Sequence, residues 1–178
     1  MEATTSEAHP GPLQALLILV VMVPVIGALL ALAGALHVEH MFAGFLFVLY
    51  WAGIKGFAGS EFMPALLGSL CGLGTAWLVY YLPKTYGSTG GIVLMAIIAL
   101  IIYLLVWHKL SVIINNAHML MLTVCAMPAL QGTEHTIDMA TAVLLSAAYA
   151  GGLLWIALQV GKWRAKRDGT AAPAATTA

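Results

Sequence analysis

Apolar residues run in six long blocks, 13–36, 41–58, 62–82, 90–107, 111–130 and 137–160, separated by short charged or turn-forming interruptions. A helix rises about 1.5 Å per residue, so roughly 20 apolar residues cross the hydrocarbon of a bilayer. Each block therefore predicts a membrane-spanning helix, the second of them short. Gly59-Ser60-Glu61 opens the third, with Ser60 placed to cap and Glu61 suited to the positive helix end. Pro83, Lys84 and Gly87 close it. His108-Lys109-Leu110 is a tight link between the fourth and fifth, and Gly132-Thr133-Glu134-His135-Thr136 is a second cap-like turn before the sixth. Residues 1–12 form a polar tail without the positive start and cleavage site of a signal peptide. Residues 161–178 are basic and then of disordered composition.

Composition turns this pattern into a class. Of 178 residues, 62% are hydrophobic and 8% charged, with seven basic and seven acidic side chains. An ordinary soluble domain is about a quarter charged, so a water-soluble fold is excluded and the lipid bilayer is the expected surrounding. Zero formal net charge and the lack of a phosphate-cradling loop exclude nucleic acid and nucleotides as partners. Two cysteines, Cys71 and Cys125, make neither a disulfide framework nor a thiolate metal site. Lys162, Arg164, Lys166 and Arg167 directly follow the sixth block, and the positive-inside rule places the C-terminus in the cytoplasm. Six spans put the N-terminus there too, in a multi-pass inner-membrane protein. Lys55 and Lys109 then face inward, while Glu39, Glu134, Asp138 and Lys84 lie outside.

An offset of 77 aligns the third block with the sixth: Glu61 with Asp138, Ala65 with Ala142, Leu67 with Leu144, Ser69 with Ser146 and Gly74 with Gly151. Repeats of three helices would be inverted in the membrane, as in many transporters. The fold class expected is all-α integral membrane, six transmembrane helices, with two inverted three-helix repeats as an added hypothesis. Gly68 and Gly72 in the third block, and Ala147 and Gly151 in the sixth, are small-residue packing faces that predict a central crossing of these two helices.

Tyr50-Trp51-Ala52-Gly53, the run from Leu67-Gly68-Ser69 through Ala76-Trp77 to Tyr80, and Pro128 before the Gly132 turn resemble one known group. The chain is similar to small bacterial inner-membrane proteins grouped as a domain of unknown function. That resemblance implies six helices and no settled activity. The fifth block departs from the group's uniformly apolar pattern through Asn115, Asn116 and His118.

Polar groups in hydrocarbon are costly, so those present are the functional candidates. Asn115, Asn116, His118 and Thr123 lie within the fifth block, with His118 about 11 Å along a helix from Ser111 and so near mid-depth. Asn115 and His118, three apart, would share a face. Tyr50 and Lys55 come from the second block, where packing and snorkelling are the competing roles. Interhelical hydrogen bonding is the competing role for the asparagines and histidine. His37, Glu39 and His40 are the nearest approach to a metal string, set against a solvated loop; with Glu134, His135 and Asp138 they could form a cation site or a pH-sensitive mouth. No metal and no cofactor is expected: haem needs facing axial ligands, and His118 is the one central histidine. No nucleophile elbow surrounds Ser60, Ser69, Ser111 or Ser146, so no enzyme is expected.

The leading expectation is a small-solute channel or transporter acting as a homo-oligomer, for a neutral polar solute or a proton, since no ring of intramembrane charges is present. Its first competitor is a non-transporting subunit that anchors a partner protein through its small-residue faces and basic tail. A metal or pH sensor is the third.

Overall fold

The computed structural model describes residues 11–167, and their regular structure is entirely helical, with no strand among the described residues. The chain divides into two compact units, Met1–His37 and Val38–Ala178. The first holds α1, Pro12–Ala35. A proline opens its first turn, where the missing N–H has no partner to lose. His37 follows in the left-handed region, with φ 56°.

The second unit contains α2 (Phe42–Val48), which continues into a π-helical turn (Leu49–Ile54), then α3 (Gly59–Trp107), α4 (Asn116–Cys125), a short 3-10 turn (Pro128–Leu130) and α5 (Thr133–Arg167). Two of these, α3 and α5, are long and apolar enough to cross a membrane.

Helix α3 would measure about 74 Å if straight, but Leu105 and His108 line the same cavity as Glu61 and Pro64. The chain reverses at Gly87, whose φ 57° and ψ −134° lie where only glycine is comfortable. Close by, a Cβ added to Gly90 would sit 2.0 Å from the Leu82 carbonyl oxygen, so the two arms press together at the bend. α3 is thus a helical hairpin with arms 59–86 and 88–107. The expected end at Pro83 and Lys84 is corrected: both stay inside the helix, because proline costs one backbone bond whereas reversal needs a glycine's dihedrals. Nor does Ser60 cap; Ala58 occupies the N-cap position without a side-chain bond, although Glu61 does lie in the first turn.

The fifth block departs most from expectation. Of residues 111–130 only Asn116–Cys125 is α-helix, about 15 Å of rise, and residues 108–115 form turns. The second block is likewise regular only over 42–54. The sixth is longer than expected, so Lys162 to Arg167 continue α5 rather than a loose tail. The expected polar tail through residue 10 and the tail beyond residue 167 fall outside the described residues.

Close approaches set the packing. Gly44 of α2 meets Ser146 and the Ala142 carbonyl of α5, where a Cβ would lie 2.1 and 2.6 Å away. Phe62 of α3 lies against Gly151, and Trp77 Nε1 donates to Thr133 Oγ1 at 3.4 Å. The first arm of α3 therefore runs antiparallel to α5. Gly68 and Gly72 seat α4 instead of α5: their Cβ positions fall on Asn115 Oδ1 and on the His118 carbonyl, 2.2 and 2.3 Å away. The expected crossing through paired small faces is corrected accordingly. Trp51, Phe47, Leu73, Met121, Met139 and Val143 fill the core between these helices.

Candidate functional site

Three local devices build a polar cavity at one end of the second unit. The first is the π-helical turn, closed by Lys55 N–H donating to the Tyr50 carbonyl at 3.1 Å; such turns recur at functional sites. It leaves Tyr50 and Trp51 both buried. The second is the turn through Gly56 and Phe57, both left-handed. For Phe57 this conformation is costly, and its ring is held edge-on against Trp51 at 5.3 Å between centroids. The turn returns Lys55 onto the start of α3, where its ammonium lies 3.1 Å from the Glu61 carboxylate.

Asn115 is the third. In extended conformation it is the N-cap of α4, and its Oδ1 accepts from the N–H groups of Ala117 and His118 at 2.9 and 3.2 Å. Its amide nitrogen donates to the Pro64 carbonyl at 2.8 Å and to Ser111 at 3.0 Å. One side chain thus ties the start of α4 to α3 and to the preceding turn. The resulting cavity, 260 Å³, is lined by Tyr50, Lys55, Glu61, His108, Ser111 and Asn116 among others. Its fixed charges are Lys55 and Glu61, which neutralise each other, so the remaining lining offers neutral donors and acceptors.

Deeper than Asn115, His118 is 3% exposed at the third position of α4. Thr75 Oγ1 donates to the Cys71 carbonyl at 2.9 Å, which spends its one hydrogen; at 3.3 Å from Oγ1, His118 Nε2 is then the donor. His118 Nδ1 has no hydrogen-bond partner, and with the proton on Nε2 it is left as a bare acceptor. Ser69 Oγ and Ser146 Oγ are also fully buried without partners. Ser69 lies two turns inward from Glu61 on α3, and Ser146 two turns inward from Asp138 on the antiparallel α5.

A second polar cluster marks the other end. Asp138 accepts from the backbone N–H groups of Glu39 and His40 at 3.1 and 2.6 Å, and its Oδ2 lies 2.7 Å from His40 Nδ1. The His135 ring is 4.8 Å from that of His40. The carboxylate is consumed in fixing the start of α2, and no group of three metal-binding side chains is gathered among the described residues. Of the metal-like string, Glu39 contributes its backbone here, and His37 belongs to the first unit.

Of the residues singled out for a solute path, the fold brings Tyr50, Lys55, Asn115 and Asn116 to one cavity. His118 is placed behind it and near the start of a short helix, not midway along a long one, and Asn115 reaches its backbone rather than sharing its face. Thr123 is separate: it is exposed, and its hydroxyl donates to the Met119 carbonyl at 2.7 Å. Glu61, Thr75, Ser69 and Ser146 escaped the sequence reading as site residues. The signal for the two serines was their pairing at the 77-residue offset. Comparison with protein-family models, with curated proteins and with solved structures finds no match.

Proposed function

We propose that the protein is a multi-pass bacterial inner-membrane channel or transporter for a small neutral polar solute or a proton, working as a homo-oligomer. The observation that carries this reading is the polar cavity walled by the non-helical segment 108–115 and the first residues of α4. Irregular backbone at membrane depth is tolerated where it is buried in protein or lines a water-filled cavity, and this segment lines a cavity with polar walls. Mutual neutralisation of Lys55 and Glu61 favours an uncharged solute. The unpaired hydroxyls of Ser69 and Ser146 and the unpartnered Nδ1 of His118 continue the polar character into the core, where each bare atom favours a passing hydrogen-bonding molecule or proton.

Six passes follow if α1, α2 with its π turn, the two arms of α3, α4 with its flanking turns, and α5 each count as one. The inverted repeat gains support from equivalent roles: Glu61 pairs with Lys55 as Asp138 does with His40, Ala65 and Ala142 are both buried, and Ser69 and Ser146 are both unpaired. Lys55, Lys109 and the basic end of α5 face the cytoplasm in this arrangement.

Flux in proteoliposomes tests the reading. Asn116→Leu places a hydrocarbon side chain in the cavity at an exposed position outside the capping network. It should lower flux of a urea-sized solute or of protons by about tenfold, roughly the 1.4 kcal/mol of one lost hydrogen-bonding site. Wild-type vesicles indistinguishable from protein-free ones, or a variant with unchanged flux, would overturn it.

A further inference from the structure

A second, apolar hollow lies where the π-helical turn and the start of α3 meet α5. It is an open hollow of 430 Å³, lined among others by Trp51, Phe62, Ala148, Gly151, Gly152 and Trp155. Ala148 is exposed and a Cβ on Gly152 would meet nothing within 4 Å, so the hollow is open over these two residues, whereas the Phe62 ring covers Gly151. On α5, Gly151, Trp155 and Leu158 recur at helical spacing, and the same stripe continues through Lys162 and Lys166. Their backbone positions stand about 6 and 12 Å beyond Leu158 by helix rise.

Lys166 also joins Trp163 and Arg167 around a smaller surface hollow of 210 Å³. From Met139 to Arg167, α5 carries no acid to neutralise these charges. Tryptophan beside lysine and arginine is the usual furnishing of a membrane–water boundary. An apolar slot that ends in excess positive charge, four basic side chains against Asp168 in the sequence, is complementary to a molecule with a long hydrocarbon chain and an anionic head.

From this complementarity we infer that the hollow is a binding site for one anionic phospholipid, an acyl chain lying along Ala148 and Gly152 and the phosphate held by Lys162 and Lys166. The inference rests on the membrane placement proposed above but not on transport. Charge attraction of this kind is worth about a factor of five per lysine near the lipid phosphate, and the slot restricts it to one molecule.

The test is native mass spectrometry of the full chain, extracted from membranes into mixed micelles of phosphatidylglycerol and phosphatidylcholine with the same acyl chains. Recovery in the membrane fraction checks the placement, and the bound lipid checks the site. Wild-type protein should retain one phosphatidylglycerol in preference to phosphatidylcholine by about thirtyfold. Lys162→Gln with Lys166→Gln should bring the ratio close to one, while Arg164→Gln, on the opposite face of α5, should leave it unchanged. Ala148→Leu with Gly152→Leu should abolish retention of either lipid; both positions have room, since Ala148 is exposed and a Cβ on Gly152 meets nothing within 4 Å. Equal retention of the two lipids would overturn the site, as would a preference that survives the lysine changes or falls equally with Arg164→Gln. A dimer that excludes lipid from the slot would assign the hollow to a second copy instead.

Discussion

Asn115 holds together three pieces of chain with one side chain, and its substitution separates anchoring from solute contact. Asn115→Ala removes the cap of α4, about 1 kcal/mol, and leaves the Pro64 carbonyl without its donor, about 1 kcal/mol more. A loss of roughly 2 kcal/mol should therefore appear as a lower midpoint of thermal unfolding in detergent, with Asn115→Ser recovering about the capping half. Asn116→Leu, next in the chain but exposed, should shift stability by less than about 0.5 kcal/mol. Were the two asparagines equally damaging, Asn115 would not be the anchor. Gly44 offers a parallel case in the core. An alanine there would drive its methyl into Ser146 and the Ala142 carbonyl, so Gly44→Ala should cost about 1–3 kcal/mol. Gly74→Ala, with open space at the Cβ, should be neutral or slightly stabilising. Nothing in residue type tells these two glycines apart. Hydropathy is blind to which neighbour a glycine meets, and the expected pairing of Gly68 and Gly72 with α5 failed for that reason.

Among the elements, the long apolar blocks were legible and the interrupted ones were not. Blocks one and six became α1 and α5 with ends moved by a few residues, because a continuous apolar run in a helix-forming context leaves one solution for its backbone polar groups. The fifth block read as a full span despite Asn115, Asn116 and His118, yet its chain is turned up to Asn115 and helical only from Asn116 to Cys125. An asparagine that can cap competes with helix continuation; Ser111 supplies a local acceptor, but the Pro64 carbonyl that ties it to α3 comes from 51 positions away. No local window contains that information. The bend of α3 shows the converse, since several breakers crowd into 83–87 and one of them reverses the chain. Gly87 alone among them has the φ and ψ that an L side chain resists. Gly87→Ala should destabilise by about 1–3 kcal/mol, whereas Gly91→Ala, inside the second arm with nothing near its Cβ, should be neutral or gain up to about 1 kcal/mol. Unfolding of both variants in detergent at increasing denaturant checks the difference, and equal effects would move the reversal elsewhere.

Across the second unit, ionisable side chains gather at two ends, an acid beside a basic group at each. Lys55, Glu61 and His108 share the cavity at one end, while Glu39, His40, His135 and Asp138 meet at the other. Helices α3 and α5, running antiparallel, connect the two. Polar residues stood out against so apolar a background, which is why Tyr50, Lys55, Asn115 and Asn116 could be named before the fold was seen. Their mutual geometry could not, because it depends on a π turn, a left-handed Phe57 and a reversal at Gly87. If positive charge marks the cytoplasmic side, the hairpin tip of α3 and the His135 end must both face outward. Single cysteines placed at Ser88, Glu134, Lys109 and Arg164, with Cys71 and Cys125 replaced by alanine, test this in intact cells with a membrane-impermeant maleimide. Positions 88 and 134 should label at once, and positions 109 and 164 only after permeabilisation. The reverse pattern would invert the protein and put the polar cavity on the outer side. Labelling of 88 and 109 from the same side would show that the second arm of α3 does not cross, and the six-pass arrangement would fall with it.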